Sequence, residues 1–250
     1  MQKGSWKMGK RFEKEYEFFY HDLNYRKELL LTSLVNYFGD VAMVQSNEEG
    51  VGIEFLDENN MAWVLYKWDI KMIRYPVYGE KLKISTTPVA LKRFYSYRIF
   101  EVVNEEGEVL CEAISMWLLI NTEKRRAIRI PQVMFDAYGT NKDEGLNIEM
   151  DDIEEMQNLA FEQDFKVRYS DIDTNMHVNN TKYIDWAIET IPLEVVKTKR
   201  LIRLKMVYKK EVHYGHIIRS LCEEKEEGHY IHKIVSDEGI EVNLAESFWE

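Results

Sequence analysis

Two rhythms of apolar and polar residues succeed one another along this chain, and each does so twice. Residues 12–20 (FEKEYEFFY) read as a strand, and residues 29–43 (LLLTSLVNYFGDVAM) carry the apolar density of a long buried helix, with His21-Asp22-Leu23-Asn24 between them. The order recurs downstream. Phe165, Val167 and Tyr169 alternate with Lys166, Arg168 and Ser170, a period of two that predicts a half-buried strand. Tyr183, Ile184, Ala187, Ile188 and Ile191 then repeat at helical spacing until Pro192 stops the helix. Between the two lies DIDTNMHVNN, residues 171–180, in which Asn179 or Asn180 is the expected N-cap. Asp173, Asn175 and His177 are thereby expected just ahead of a helix N-terminus, where free backbone N–H groups favour negative charge.

The parallel extends over both halves. Residues 63–75 run into Pro76-Val77-Tyr78-Gly79, and residues 201–210 run into Glu211-Val212-His213-Tyr214-Gly215. Strands are expected over 81–89, 96–103 and 109–120 in the first half, and over 217–223, 230–235 and 240–249 in the second. The closing strands share Ala-x-Ser-x-Trp, at Ala113, Ser115 and Trp117 and again at Ala245, Ser247 and Trp249. Such a repeat predicts an internal duplication, each copy an α+β unit whose antiparallel sheet wraps a long apolar helix. The expected limits are a first domain over 1–135, a linker over 136–163 with a short helix in it, and a second domain over 164–250. Residues 1–10 read as a loose basic lead-in.

Composition narrows the function classes. At 45% hydrophobic residues the chain is globular, and its net charge of −11 argues against nucleic acid as a partner. No apolar run approaches the roughly 18 residues of a membrane span, so no stable membrane insertion is expected. The N-terminus has no signal-peptide core, and a cytoplasmic location is expected. Cys111 and Cys222 lie in different halves inside strand patterns and read as buried thiols. His213 and His216 stand three apart without a third ligand motif, so no metal and no cofactor are expected. Gly50-Val-Gly52 is read as a turn, and a Gly-x-Ser-x-Gly elbow is lacking.

The chemistry-bearing residues concentrate at RYSDIDTNMHVNNTKYIDW, residues 168–186. A strand feeding Asp-x-Asn-x-His, a double Asn and an aromatic-rich amphipathic helix resembles the signature of hot-dog-fold thioesterases. More narrowly it resembles that of acyl-acyl-carrier-protein (acyl-ACP) thioesterases. The segment Tyr208-Lys209-Lys210-Glu211 is similar to a Tyr-basic-basic-Glu-Cys segment of that family, with Val212 where the cysteine would stand, which removes a cysteine nucleophile at that position. Residues 121–131 (NTEKRRAIRIP) also resemble a segment of the family, so the likeness runs from about Phe12 to Trp249. It implies two fused hot-dog domains, a covalent version of the usual hot-dog dimer, and leaves a homodimer of the whole chain open.

The resemblance implies a site of Asp173, Asn175, His177 and Glu211. Thioester hydrolysis needs a base for water and donors for the developing oxyanion. Glu211 and His177 suit water activation, either one as base with the other orienting it. Asn175 suits an amide donor, and Asp173 an orienting carboxylate. The first half places Asn24, Arg26 and Glu28 opposite Asp173, Asn175 and His177, so one site per chain is expected. The first half is then free to shape an acyl pocket with Leu29, Leu30, Leu34, Phe38 and Trp63. The implied partner is acyl carrier protein bearing a phosphopantetheine-linked acyl chain. Being acidic, it would dock on basic clusters: Lys124, Arg125, Arg126 and Arg129; Lys197, Lys199 and Arg200; or Lys209 and Lys210. Hydrolysis of acyl-coenzyme A, or acyl binding without catalysis, are the alternatives.

Overall fold

A computed structural model describes residues 9–141 and 148–250; most of the lead-in and part of the expected linker lie outside the described residues. The chain divides into two compact units, one ending at Met150 and the other containing Asp151–Glu250 together with Lys67–Met72.

The first unit opens with β1 (Phe12–Glu17), whose alternate burial follows its period of two, and continues into helix α1 (Leu31–Glu48) and the short helix α2 (Ile53–Glu58). Strand β2 (Met61–Met72) follows, giving its first half to this unit and Lys67–Met72 to the second. Next come β3 (Lys81–Lys92), β4 (Tyr95–Asn104), β5 (Val109–Asn121) and the two-residue β6 (Arg126–Ala127). Helix α3 (Gln132–Tyr138) ends on Gly139, whose φ of 66° terminates it in the left-handed conformation. β1, β3, β4 and β5 pair antiparallel in that order, with β6 on β5.

Helix α1 exists because one of its faces is continuously apolar. Leu31, Leu34, Val35, Phe38 and Val41 are buried, and Phe38 stacks on Phe100 of β4 at 4.9 Å. The core also holds a charge. Arg98 of β4 is buried, donates to Gln45 Oε1 at 2.6 Å and lies over the Tyr138 ring at 4.9 Å. That knot joins α1, β4 and α3. The expected domain limit at 135 accordingly falls inside a helix whose Met134, Phe135 and Tyr138 are buried.

The second unit repeats the plan. It consists of β7 (Phe161–Lys166), α4 (Asn180–Glu189), α5 (Leu193–Thr198), β8 (Leu201–Tyr208), β9 (Ile217–Glu226), β10 (His229–Ser236) and β11 (Glu241–Trp249). The antiparallel order is β8-β11-β10-β9-β7, with Lys67–Lys71 of β2 on β8. The central helix is shorter than in the first unit, ten residues against eighteen. Both closing strands use their Ser-x-Trp identically: Trp117 Nε1 donates to Ser115 Oγ at 2.6 Å and Trp249 Nε1 to Ser247 Oγ at 3.0 Å. The architecture is α+β, two fused hot-dog units in which an antiparallel sheet wraps a helix.

Several local expectations shift. The first strand, expected over 12–20, ends at Glu17, ahead of a 3-10 turn at Tyr20–Asp22. The second-half strand starts at Phe161 and ends at Lys166, before Tyr169. The alternation at Tyr169 is incidental, since that side chain is 87% exposed in a 3-10 turn, Tyr169–Asp171. The turn wins because the Asp171 carboxylate accepts the Arg168 backbone N–H at 2.8 Å and pairs with its guanidinium at 2.9 Å. Pro192 separates two helices, serving as N-cap of α5. Finally, α2 follows the Gly50–Gly52 turn, where the pattern had suggested no helix.

Candidate active site

The loop between β7 and α4 is shaped by its own side chains. Asn179 caps α4: its Oδ1 accepts the Thr181 N–H at 3.0 Å and the Thr181 hydroxyl at 2.9 Å. Asp173 Oδ1 accepts the backbone N–H of Asn175 at 2.8 Å and of His177 at 3.3 Å, closing a tight turn in which Met176 takes a φ of 65°. A bridge between Ile172 and Val178 closes the base of the loop. Asp171 beneath is buried. Burial pushes its carboxyl up, but the Arg168 guanidinium and backbone N–H outweigh this and hold it below the ordinary carboxylate range.

The first unit builds the same loop from different residues. Asn24 Oδ1 accepts the N–H of Arg26 at 2.8 Å and of Glu28 at 3.1 Å, Lys27 takes a φ of 62°, and a bridge joins Leu23 to Leu29. The scaffold was therefore duplicated, and only the second copy carries His177.

Glu211 reaches this loop from the segment after β8. The Val178 N–H donates to the Val212 carbonyl at 2.9 Å, which ties that segment to the loop and sets Glu211 Oε2 3.2 Å from His177 Nε2. Side-chain exposures of 24% and 34% leave both within reach of solvent. Val212 itself is buried and supplies no nucleophile. Cys111 and Cys222 are buried too, the latter thiol pushed up to about 12 by desolvation, so neither offers a thiolate.

Two residues join the site that pattern reading did not place there. His213 lies with its ring 4.9 Å from that of His177 and its Nδ1 3.4 Å from the Met176 carbonyl. His177, Glu211 and His213 each present one ligand atom, all within 4.8 Å of one another. Spacing put Glu211 and His213 on one short segment after β8, but did not show that this segment meets His177. His216, the supposed companion of His213, instead pairs with Asp237 at 3.1 Å. Tyr183 is the second addition, a buried phenol pushed up by desolvation and by the charges of Glu211 and Asp173, with an opposing hydrogen bond from the Val212 backbone. Its helical spacing had marked it only as apolar.

The backbone donors expected at the helix start are largely engaged. The N–H groups of Asp173, Asn175, Met176, His177, Val178, Asn179, Thr181 and Lys182 all donate within the loop or to Val212. The side-chain amide of Asn175 is exposed beside them. Asp173 acts on Asn175 and His177 through their backbones.

The other candidates are distributed as follows. Leu29, Leu34 and Phe38 are buried at and within α1, Leu30 is turned outward at its N-cap, and Trp63 packs against the cluster of Val51, Leu56 and Met61. Lys124, Arg125, Arg126 and Arg129 are exposed around β6. Lys197 pairs with Glu194 at 3.2 Å and Lys199 with Glu227 at 2.9 Å, Lys209 pairs with Glu241, and Arg200 and Lys210 are exposed.

Among the described residues no helix is long and apolar enough to cross a membrane. Family models for the acyl-ACP thioesterase N-terminal domain and C-terminal domain match residues 9–138 and 154–250. A chloroplastic palmitoyl-acyl carrier protein thioesterase of Gossypium hirsutum is 29% identical over 66% of this chain and 41% of its own length. The chain thus spans less than half of that curated relative. Among solved structures, an acyl-ACP thioesterase from Bacteroides thetaiotaomicron superposes with a TM-score of 0.86 at 25% identity, covering 96% of this chain and 98% of the other. The 12:0-ACP thioesterase of Umbellularia californica gives 0.84 at 20% identity, covering 96% and 97%, a likeness of fold. With both family models matched in order along one chain whose paired units repeat a single loop scaffold, this protein belongs to the acyl-ACP thioesterase family.

Proposed function

We propose that the chain hydrolyses the thioester between a fatty acyl group and the phosphopantetheine arm of acyl carrier protein, releasing the free fatty acid. The observation that carries this reading is the 3.2 Å pair of His177 and Glu211, held on the Asp173 turn ahead of α4 and accessible to water. Glu211 takes a proton from water while His177, paired with it at 3.2 Å, fixes the carboxylate and shares the proton. The hydroxide adds to the thioester carbonyl, and the Asn175 amide donates to the resulting oxyanion. Collapse breaks the carbon–sulfur bond and expels the pantetheine thiolate, a good enough leaving group to need little acid help; it takes up the proton that water lost.

The first unit serves the acyl chain, with Leu29, Leu34 and Phe38 as its apolar wall. Basic side chains exposed around β6 suit the acidic carrier, whose approach to a chain of net charge −11 needs a local positive face. Two buried, unpaired thiols accord with a reducing cytoplasm.

The test is fatty acid release from a panel of acyl-ACPs and the matching acyl-coenzyme A esters, by the wild type and Glu211→Ala. Carrier-linked substrates are expected to turn over with far higher kcat/KM, and Glu211→Ala to abolish the reaction. Equal turnover of coenzyme A esters would defeat the carrier assignment. No release from either would leave an acyl-binding protein.

A further inference from the structure

His177, Glu211 and His213 form more than a water-activating pair. Two imidazoles and a carboxylate are the donor set of many transition-metal sites, and three protein ligands leave a fourth position for water. Bonds of 2.0–2.2 Å to a tetrahedral ion place adjacent ligand atoms about 3.4 Å apart. The His177 Nε2 to Glu211 Oε2 separation of 3.2 Å is already that edge. The ligand atom of His213 lies within 4.8 Å of the other two, so its approach needs roughly 1.5 Å, a small rotation for an exposed side chain. Its support is also in place. A ligating histidine commonly turns its second ring nitrogen to a carbonyl or carboxylate, and the Nδ1 of His213 faces the Met176 carbonyl at 3.4 Å, leaving Nε2 for an ion.

We infer that His177, Glu211 and His213 form a solvent-accessible site for a transition-series divalent cation such as Zn2+, and that its occupation shuts off thioester hydrolysis. The inhibitory half rests on the proposed hydrolase function: the cation takes the lone pairs of His177 and Glu211 on which water activation depends. Imidazole donors favour Zn2+, Co2+ or Ni2+ over Mg2+ and Ca2+, which prefer an all-oxygen shell.

The experiment uses the whole chain, stripped with a chelator and titrated with Zn2+ in a calorimeter. One ion per chain is expected. His213→Ala and Glu211→Gln should each weaken binding at least tenfold, and His216→Ala, whose ring pairs with Asp237, should not. Co2+ added to the unmodified chain should give the visible absorption of a four-coordinate site. Fatty acid release, followed by mass spectrometry, should fall more than tenfold at saturating Zn2+ and return with chelator. Absence of saturable binding, or unweakened binding by His213→Ala, overturns the site; unchanged or faster hydrolysis at saturation overturns the inhibition. Calorimetry needs no substrate, so a chain that hydrolyses nothing would defeat the proposed function while a His213-dependent isotherm would still uphold the site.

Discussion

Asp173 and Asn24 do the same backbone work in the two units, each holding two N–H groups on one side-chain oxygen, at 2.8 and 3.3 Å in one and 2.8 and 3.1 Å in the other. The loop therefore needs an oxygen and no charge. Asp173→Asn should leave the unfolding free energy within about 0.5 kcal/mol of wild type, while Asp173→Ala, which strips both N–H groups of their acceptor, should cost about 1 kcal/mol. Asp173→Asn should likewise keep kcat within threefold of wild type, since the amide oxygen holds the same two N–H groups, to be read from urea unfolding and steady-state kinetics on the same preparation.

Removing either partner of the His177–Glu211 pair should remove base catalysis, typically worth 10²–10⁴-fold. Glu211→Gln keeps the shape beside His177 but cannot accept the proton from water. A kcat within threefold of wild type would assign the base elsewhere.

Asn179 caps α4 with its side chain, and α4 is only ten residues long. Asn179→Ala should cost about 1 kcal/mol, and Asn179→Ser, which can still accept from Thr181, much less. Thermal unfolding of the two variants decides; equal losses would mean the cap contributes nothing.

His232 sets a pH dependence of stability. It is fully buried on β10, hydrogen-bonded at Nε2 to Ser247 Oγ at 2.8 Å, and burial lowers its pKa to about 3. Its Nδ1 has no partner among the described residues. A histidine titrating near 6.5 when unfolded and near 3 when folded binds a proton first in the unfolded chain, so stability falls as pH drops through that window. The loss should approach about 1.4 kcal/mol per pH unit below 6.5, or about 2 kcal/mol between pH 7 and 5. Urea midpoints at those two pH values should show it in the wild type and not in His232→Gln. A flat wild-type profile would contradict the burial.

Two kinds of information separate along this chain. Periodicity, turn residues and the repeated Ala-x-Ser-x-Trp are local, and they made the duplication, the central helices, the hairpin turns and the α+β class legible in order. The Asp-x-Asn-x-His loop was legible for the same reason, since Asp173 and Asn179 act on N–H groups two to four residues away. What lay beyond reach depends on distant parts of the chain meeting. Tyr169 alternates like a strand residue, yet the turn that Asp171 closes overrides the pattern. Residues 67–71 fall between two stretches of the first unit in sequence yet pair with β8 within the second, because backbone hydrogen bonding reads proximity and not order. His213 looked like an ordinary exposed histidine until the Val178–Val212 hydrogen bond brought its segment beside His177. Residue types thus determined which chemistry the chain could carry; the tie between two segments more than thirty residues apart decided that Glu211 stands beside His177, since a 3.2 Å contact is a property of packing and not of spacing.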